Sequence, residues 1–175
     1  QKSVVIRIVQ KNGTILENFD THILLEKSKF KIQVLLENIR GVYVFASAGD
    51  SVYRFSESDS IRNFEYLPLL LLKEQRYNDE KELNISRTGW SYWFYDSRGP
   101  HPFSRKVHRL YGDRIVCTKN IKRLYYVAEE KQVDLSDLKN EPLYLFFLAV
   151  SEYDENGRPA KELLRKKVKI EWVDD

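Results

Sequence analysis

Bulky apolar side chains recur at every second position over most of this chain. In SVVIRIVQKNGTILENF, Val4, Ile6 and Ile8 share one side, Asn12-Gly13 follows, and Ile15 and Leu16 resume the pattern. A period of two is that of a strand with one buried face. Asn-Gly between two such runs predicts a tight hairpin, because both central residues of its turn take positive φ. In KFKIQVLLEN, Phe30, Ile32, Val34 and Leu36 are expected inward, with Lys29, Lys31 and Gln33 outward. GVYVFASAGDSVYRF suggests two strands about Ala48-Gly49-Asp50, and these two stretches are expected to pair as neighbours.

Polar residues dominate from Ser56 to Asn63, which suggests a loop. YLPLLLLKEQRYNDEKEL fits either a short helix entered at Pro68 or a buried strand followed by a loop, the latter being favoured. Asn78 to Lys81 is the natural boundary if there are two domains. Beyond it, KELNIS and WSYWFYD are strands around Arg87-Thr88-Gly89, and SRGPHPFS is a Gly/Pro loop. DRIVCT and KRLYYVAEE are further strands, and DLSDL is a helical turn or bend. A long hairpin about Asn156-Gly157 ends the chain. Within it Tyr144, Phe146 and Leu148 fall on one face, and Leu145, Phe147 and Ala149 on the other. A strand apolar on both faces belongs in the middle of its sheet.

Short strands with turn residues between them and no long 3.6-residue period indicate an all-β protein, an antiparallel β-sandwich. VDLSDLKNEPLYLFFLAVSEYDENG resembles the end of immunoglobulin-like and fibronectin type III modules of bacterial secreted and surface proteins. It shares a Leu-bearing bend, a Tyr-rich strand, an acidic Asn-Gly turn and a final Lys-rich strand. The resemblance covers Glu80 to Trp172 at most and lacks the Cys pair of antibody domains. It implies architecture and a role in binding, spacing or assembly, with no catalytic residues to carry over. Two modules are therefore expected, 1–78 and 79–175, with one large jelly-roll-like sandwich as the alternative.

The 175 residues hold 42% apolar and 31% charged residues, which excludes a disordered chain. Lys and Arg outnumber Asp and Glu by only 29 to 26, and the surplus is spread along the chain: 11 against 9 through Asn78, then 18 against 17. The densest basic runs, Arg105-Lys106 with His108-Arg109 and Arg165 to Lys169, lose half their charge to the opposite face of a strand. They are expected to be solvated strand faces or edge-protecting lysines, so nucleic acid is not an expected partner. No run, Leu67 to Leu72 included, approaches the roughly 20 apolar residues of a membrane-spanning helix. The chain has no methionine and starts at Gln1, which suggests a segment removed upstream, as an export signal would be. One cysteine permits no internal disulfide, which disfavours a disulfide-stapled ectodomain and fits an exported, periplasmic or cell-surface bacterial protein.

Candidate chemistry is sparse. GWSYWFYD has five aromatic residues in eight. In a strand, Trp90, Tyr92 and Phe94 share one face, and Ser91, Trp93 and Tyr95 the other. One face must be core; Trp90, Trp93 and Tyr95 are the candidate ligand-binding residues of an aromatic platform for sugar rings. Cys117, alternating with Ile115, has the setting of a small buried hydrophobe. His22, His101 and His108 are scattered without metal-ligand spacing, so neither a metal nor any other cofactor is expected. Asp96 with Asp113, or Asp20 with Glu17, could form a glycosidase pair only if folding places them across a cleft. With seven glycines in all there is no phosphate-binding Gly motif. Asn12-Gly13-Thr14 and Asn84-Ile85-Ser86 match the glycan acceptor pattern, and both are explained as a turn and a strand. These residues suggest a non-catalytic binding or assembly module for a protein or glycan partner. A carbohydrate-binding domain is the first alternative, and an enzyme with paired carboxylates the second.

Overall fold

The structure, a computed structural model, describes residues 1–11, 13–17, 21–39, 41–51, 82–96, 99–101, 106–109, 114–156 and 159–174. Within these, positions 14–17, 41, 91–96, 99–101, 106–109, 115 and 159 are described by their backbone. Strands dominate: β1 (Ser3–Gln10), β2 (Gly13–Glu17), β3 (His22–Glu26), β4 (Phe30–Glu37), β5 (Gly41–Ser47), β6 (Glu82–Ile85), β7 (Ser91–Asp96), β8 (Gly99–His101), β9 (Lys106–Arg109), β10 (Arg114–Ile121), β11 (Arg123–Tyr126), β12 (Lys131–Asp134), β13 (Leu143–Tyr153) and β14 (Pro159–Val173). A 3-10 turn at Leu135–Asp137 occupies the bend expected in DLSDL. Among the described residues no helix is long and apolar enough to cross a membrane.

Three sheets form, in the orders β2-β1-β4-β10-β9, β12-β11-β6 and β3-β14-β13-β5-β7-β8. The period-two pattern positions the core between them. β4 alternates buried residues with partly or fully exposed ones along its whole length, with Phe30, Ile32, Val34 and Leu36 inward. They meet Ile6 and Ile8 of β1 and Cys117 and Ile121 of β10 on the same sheet. Across from them lie Val42, Val44 and Ala46 of β5, Leu145 and Phe147 of β13, and Val168, Ile170 and Trp172 of β14. Leu83, Ile85, Leu124 and Tyr126 of the three-stranded sheet join the same cluster. Two sheets whose apolar faces are shut against each other make a sandwich.

β13 lies between β14 and β5 and is buried on both faces. Leu143, Leu145, Phe147 and Ala149 enter the main core. Tyr144, Phe146, Leu148 and Val150 form a second cluster with Phe45 and Trp90. This is the two-sided central strand expected from its sequence.

Four expectations need correction. The strands do not divide into modules 1–78 and 79–175. β4 pairs with β10, and β5 with both β13 and β7, so two sheets and the main core each draw on both parts of the chain. Local periodicity reports which face is buried and carries no information about the partner strand, which is why the boundary looked natural. For the same reason β4 and β5, expected as neighbours, lie in different sheets. The sheets are also not purely antiparallel: β3 runs parallel to β14, and β6 parallel to β11. Finally, Gly99–His101 of the expected loop forms β8 against β7.

The first hairpin is present but shifted by one residue. Gln10 pairs with Gly13, so the turn begins at Lys11, with φ +33° at Lys11 and +135° at Gly13. Glycine alone adopts the latter without strain. The expectations for Ser56 to Asn63, for Leu67 to Leu72 and for Val52 to Phe55 lie outside the described residues.

Candidate recognition site

Trp90 is fully buried in the second cluster. Its ring stands edge-on to Phe45 at 6.2 Å and to Phe146 at 6.0 Å. It therefore cannot belong to an exposed sugar platform, and its role there is corrected to one of packing. Trp93 and Tyr95 sit in β7 at the register positions of Val44 and Val42; their side chains lie outside the description. Asp96 pairs in register with Gly41 and Gly99, whereas Asp113 and Asp20 lie outside the described residues. Glu17 pairs with Arg7. Cys117 is buried in β10, as expected for a small core residue. His101 and His108 are placed by backbone in β8 and β9. His22 is exposed on β3, 3.3 Å from the Glu171 carboxylate, which Lys169 also approaches at 3.3 Å. The hydrogen bond from Lys169 is the main reason the Glu171 carboxyl lies below its ordinary range. Among the described residues no three His, Cys, Asp or Glu side chains gather as a metal site.

The structure brings together a different set, around Arg87. This residue follows β6, and a buried polar clasp fixes the turn that carries it. Ser47 Oγ donates to the Ser86 carbonyl at 2.8 Å, and Ala48 N–H donates to the same oxygen at 2.9 Å. Thr88 N–H donates to Ser86 Oγ at 3.1 Å. Ser47 and Ser86 are both buried, so leaving these groups without partners would be costly and the turn is held. Arg87 then projects over the Tyr126 ring, its guanidinium carbon 4.8 Å from the centroid.

Its fork meets Glu141 in a two-point pair, with Nε to Oε1 and Nη2 to Oε2 both at 2.9 Å. Nη1 donates to Glu129 at 2.7 Å. The Tyr126 hydroxyl donates to Glu141 Oε2 at 3.3 Å. Planar guanidinium suits this arrangement, because two parallel N–H donors match one carboxylate. A groove of about 480 Å³ opens beside the cluster, with Lys131 and Val133 of β12, Asp137 and Lys139 in its walls. Lys131, Asp137 and Lys139 make no ion pair among the described residues. Charges of both signs are thus presented beside a saturated cluster.

The electrostatics fix protonation states. Burial pushes the Tyr126 phenol up to about 12, and the neighbouring Glu141 charge and hydrogen bond add to it. Arg87 is raised above its ordinary value, chiefly by its hydrogen bond to Glu141. A general acid or base works best with a pKa near the operating pH, and neither group is near it at neutrality. Both groups therefore stay protonated at neutrality, and the pair can orient a ligand and donate hydrogen bonds.

Sequence reasoning missed Arg87, Tyr126 and Glu141 because they are separated along the chain, and the parallel pairing of β6 with β11 brings Arg87 beside Tyr126. It also missed two buried polar residues that period-two counting exposes. In β10, Cys117, Lys119 and Ile121 alternate on the core side, and Lys119 is fully buried. In β6, Glu82 is buried with the Gln132 amide donating to its carboxylate. No protein-family model matches this chain, and comparison with curated proteins finds no significant similarity.

Proposed function

We propose that this chain is a non-catalytic recognition module of an exported bacterial protein, in the periplasm or at the cell surface, which takes a polar segment of a protein partner in the groove beside Arg87. The carrying observation is that Arg87 and Tyr126 are held far from neutral titration while the groove presents Lys131, Lys139 and Asp137 to solvent. Fixed charges of both signs suit an extended peptide, whose backbone dipoles and side chains supply matching groups. The likeness of the C-terminal stretch to immunoglobulin-like modules supports the same kind of role.

The test is selection of peptides from a displayed random library on the purified protein, followed by amide shift mapping of the winners. Selected peptides should shift Tyr126, Lys131, Val133 and Lys139 and lose at least about tenfold in affinity with Glu141→Gln, which undoes the two-point pair. Selection of no peptide that maps to this groove would defeat the proposal. So would turnover in a hydrolase panel that disappears in Tyr126→Phe.

A further inference from the structure

A second concavity of about 470 Å³ lies at one end of the five-stranded sheet, where β1 ends, β4 begins and β10 ends. Four lysines line it: Lys11 after β1, Lys29 and Lys31 at the start of β4, and Lys122 after β10. Val9, Phe30 and the Asn120 amide complete its walls. Among the described residues no carboxylate lines it. Lys11 is paired with Glu26 at 2.9 Å, whereas Lys29, Lys31 and Lys122 are exposed and make no ion pair among the described residues. Three neighbouring cations repel one another, and an anion relieves that repulsion.

The walls are held in place. Gln10 is only 6% exposed, and its amide nitrogen donates to the carbonyls of Glu26 at 2.9 Å and Ser28 at 3.1 Å. Glu26 N–H returns a bond to Gln10 Oε1 at 3.0 Å. This buried clasp ties the end of β1 to the turn before Lys29, so the lysines from both segments keep a fixed spacing. β4 separates β1 from β10 by two ladder spacings, about 10 Å. A ligand bridging Lys11 to Lys122 must therefore carry several anionic groups on a skeleton of that width.

We propose that this pocket binds an anionic oligosaccharide, a chain of two or more sugar units bearing sulfate, phosphate or carboxylate groups. Lysine ammonium groups act as point charges that accept any of these anions, without the two-point geometry of arginine. Val9, partly exposed, offers apolar contact to a sugar face, and the Asn120 amide can bond a hydroxyl. The pocket is on a different sheet from the Arg87 groove, and the proposal stands or falls without it.

The test is isothermal titration of the full chain with sucrose octasulfate, pyrophosphate and sucrose at about 50 mM salt, where the Debye length of roughly 14 Å leaves surface charge effective. Sucrose octasulfate should bind, with pyrophosphate and sucrose at least about tenfold weaker. Each lysine removed should cost about fivefold, so Lys31→Gln with Lys122→Gln should weaken binding about 25-fold. Lys2→Gln with Lys161→Gln, ahead of β1 and early in β14, should change nothing. Amide shifts of the wild type should map to Lys29–Lys31 and Asn120–Lys122, a readout independent of the variants' folding. Absence of binding, pyrophosphate binding as tightly as the sulfated disaccharide, or equal losses in the two double variants would each overturn the proposal.

Discussion

Phe146→Ala probes the second cluster most sharply. Phe146 is fully buried, stands edge-on to Phe45 at 5.1 Å and to Trp90 at 6.0 Å, and carries the Arg165 guanidinium 5.2 Å above its ring. Truncating a buried Phe costs about 3 to 5 kcal/mol. Two edge-to-face partners and a cation over the ring place this site in the upper half of that range, about 4 to 5 kcal/mol. With a urea slope of roughly 2 kcal/mol per molar, the midpoint should fall by about 2 M at unchanged slope. Trp90 fluorescence is a natural reporter because its ring touches the site. Phe147→Ala, one residue on and fully buried in the main core, should cost about 3 to 5 kcal/mol as well. If Phe146→Ala proves too unstable to purify, Phe146→Leu should still lower stability by about 1 to 1.5 kcal/mol. A loss below about 1 kcal/mol in either alanine variant would show that β13 is packed on one face only, and the layer order would be refuted.

Two further substitutions test local devices. Gln10→Ala removes a buried amide from four backbone and hydroxyl partners and should cost about 2 to 3 kcal/mol in denaturant melts; a loss under about 0.5 kcal/mol would mean that water replaces the clasp. Glu130, in the turn between β11 and β12, has φ +49°. Glu130→Gly should therefore raise stability by about 0.5 to 1 kcal/mol and Glu130→Val lower it by about 1, and a less stable glycine variant would contradict the strain argument.

Much of the fold was legible because one-sided burial writes itself as alternation. β4, with Phe30 to Leu36 inward, and β13, with Phe146 and Phe147 on opposite faces, follow directly from side-chain spacing. Strand partners were not legible. The pairing of Phe30–Glu37 with Arg114–Ile121 joins segments about eighty residues apart, and nothing local in either specifies the other. The candidate site was hidden for the same reason, since Arg87 and Tyr126 meet only after β6 docks alongside β11. Aromatic density in GWSYWFYD called for one core face and left Trp90 a candidate for a platform as well, whereas Trp90 is consumed by the core, where large rings gain most from burial. The lysine pocket escaped notice because Lys11, Lys29, Lys31 and Lys122 are unremarkable turn and strand residues until three strand ends come together.

The titration of Tyr126 tests the recognition reading most directly, because fixed protonation in the groove is what sets it apart from a proton-transfer site. The wild-type phenolate absorbance curve minus that of Tyr126→Phe isolates this residue among the 11 tyrosines. Its midpoint should lie at about 12, above the ordinary 10.0. The folded value is raised, so the stabilisation is complete below pH 10.0 and fades as pH climbs to about 12. A two-unit shift corresponds to roughly 2.7 kcal/mol, which solvent access from the groove reduces to about 1 to 2. A difference curve centred near 12, with an alkaline stability loss that Tyr126→Phe lacks, is the expected result. A midpoint at or below 10 would contradict it, because the burial and the Glu141 contact that raise the phenol would then be missing from the groove.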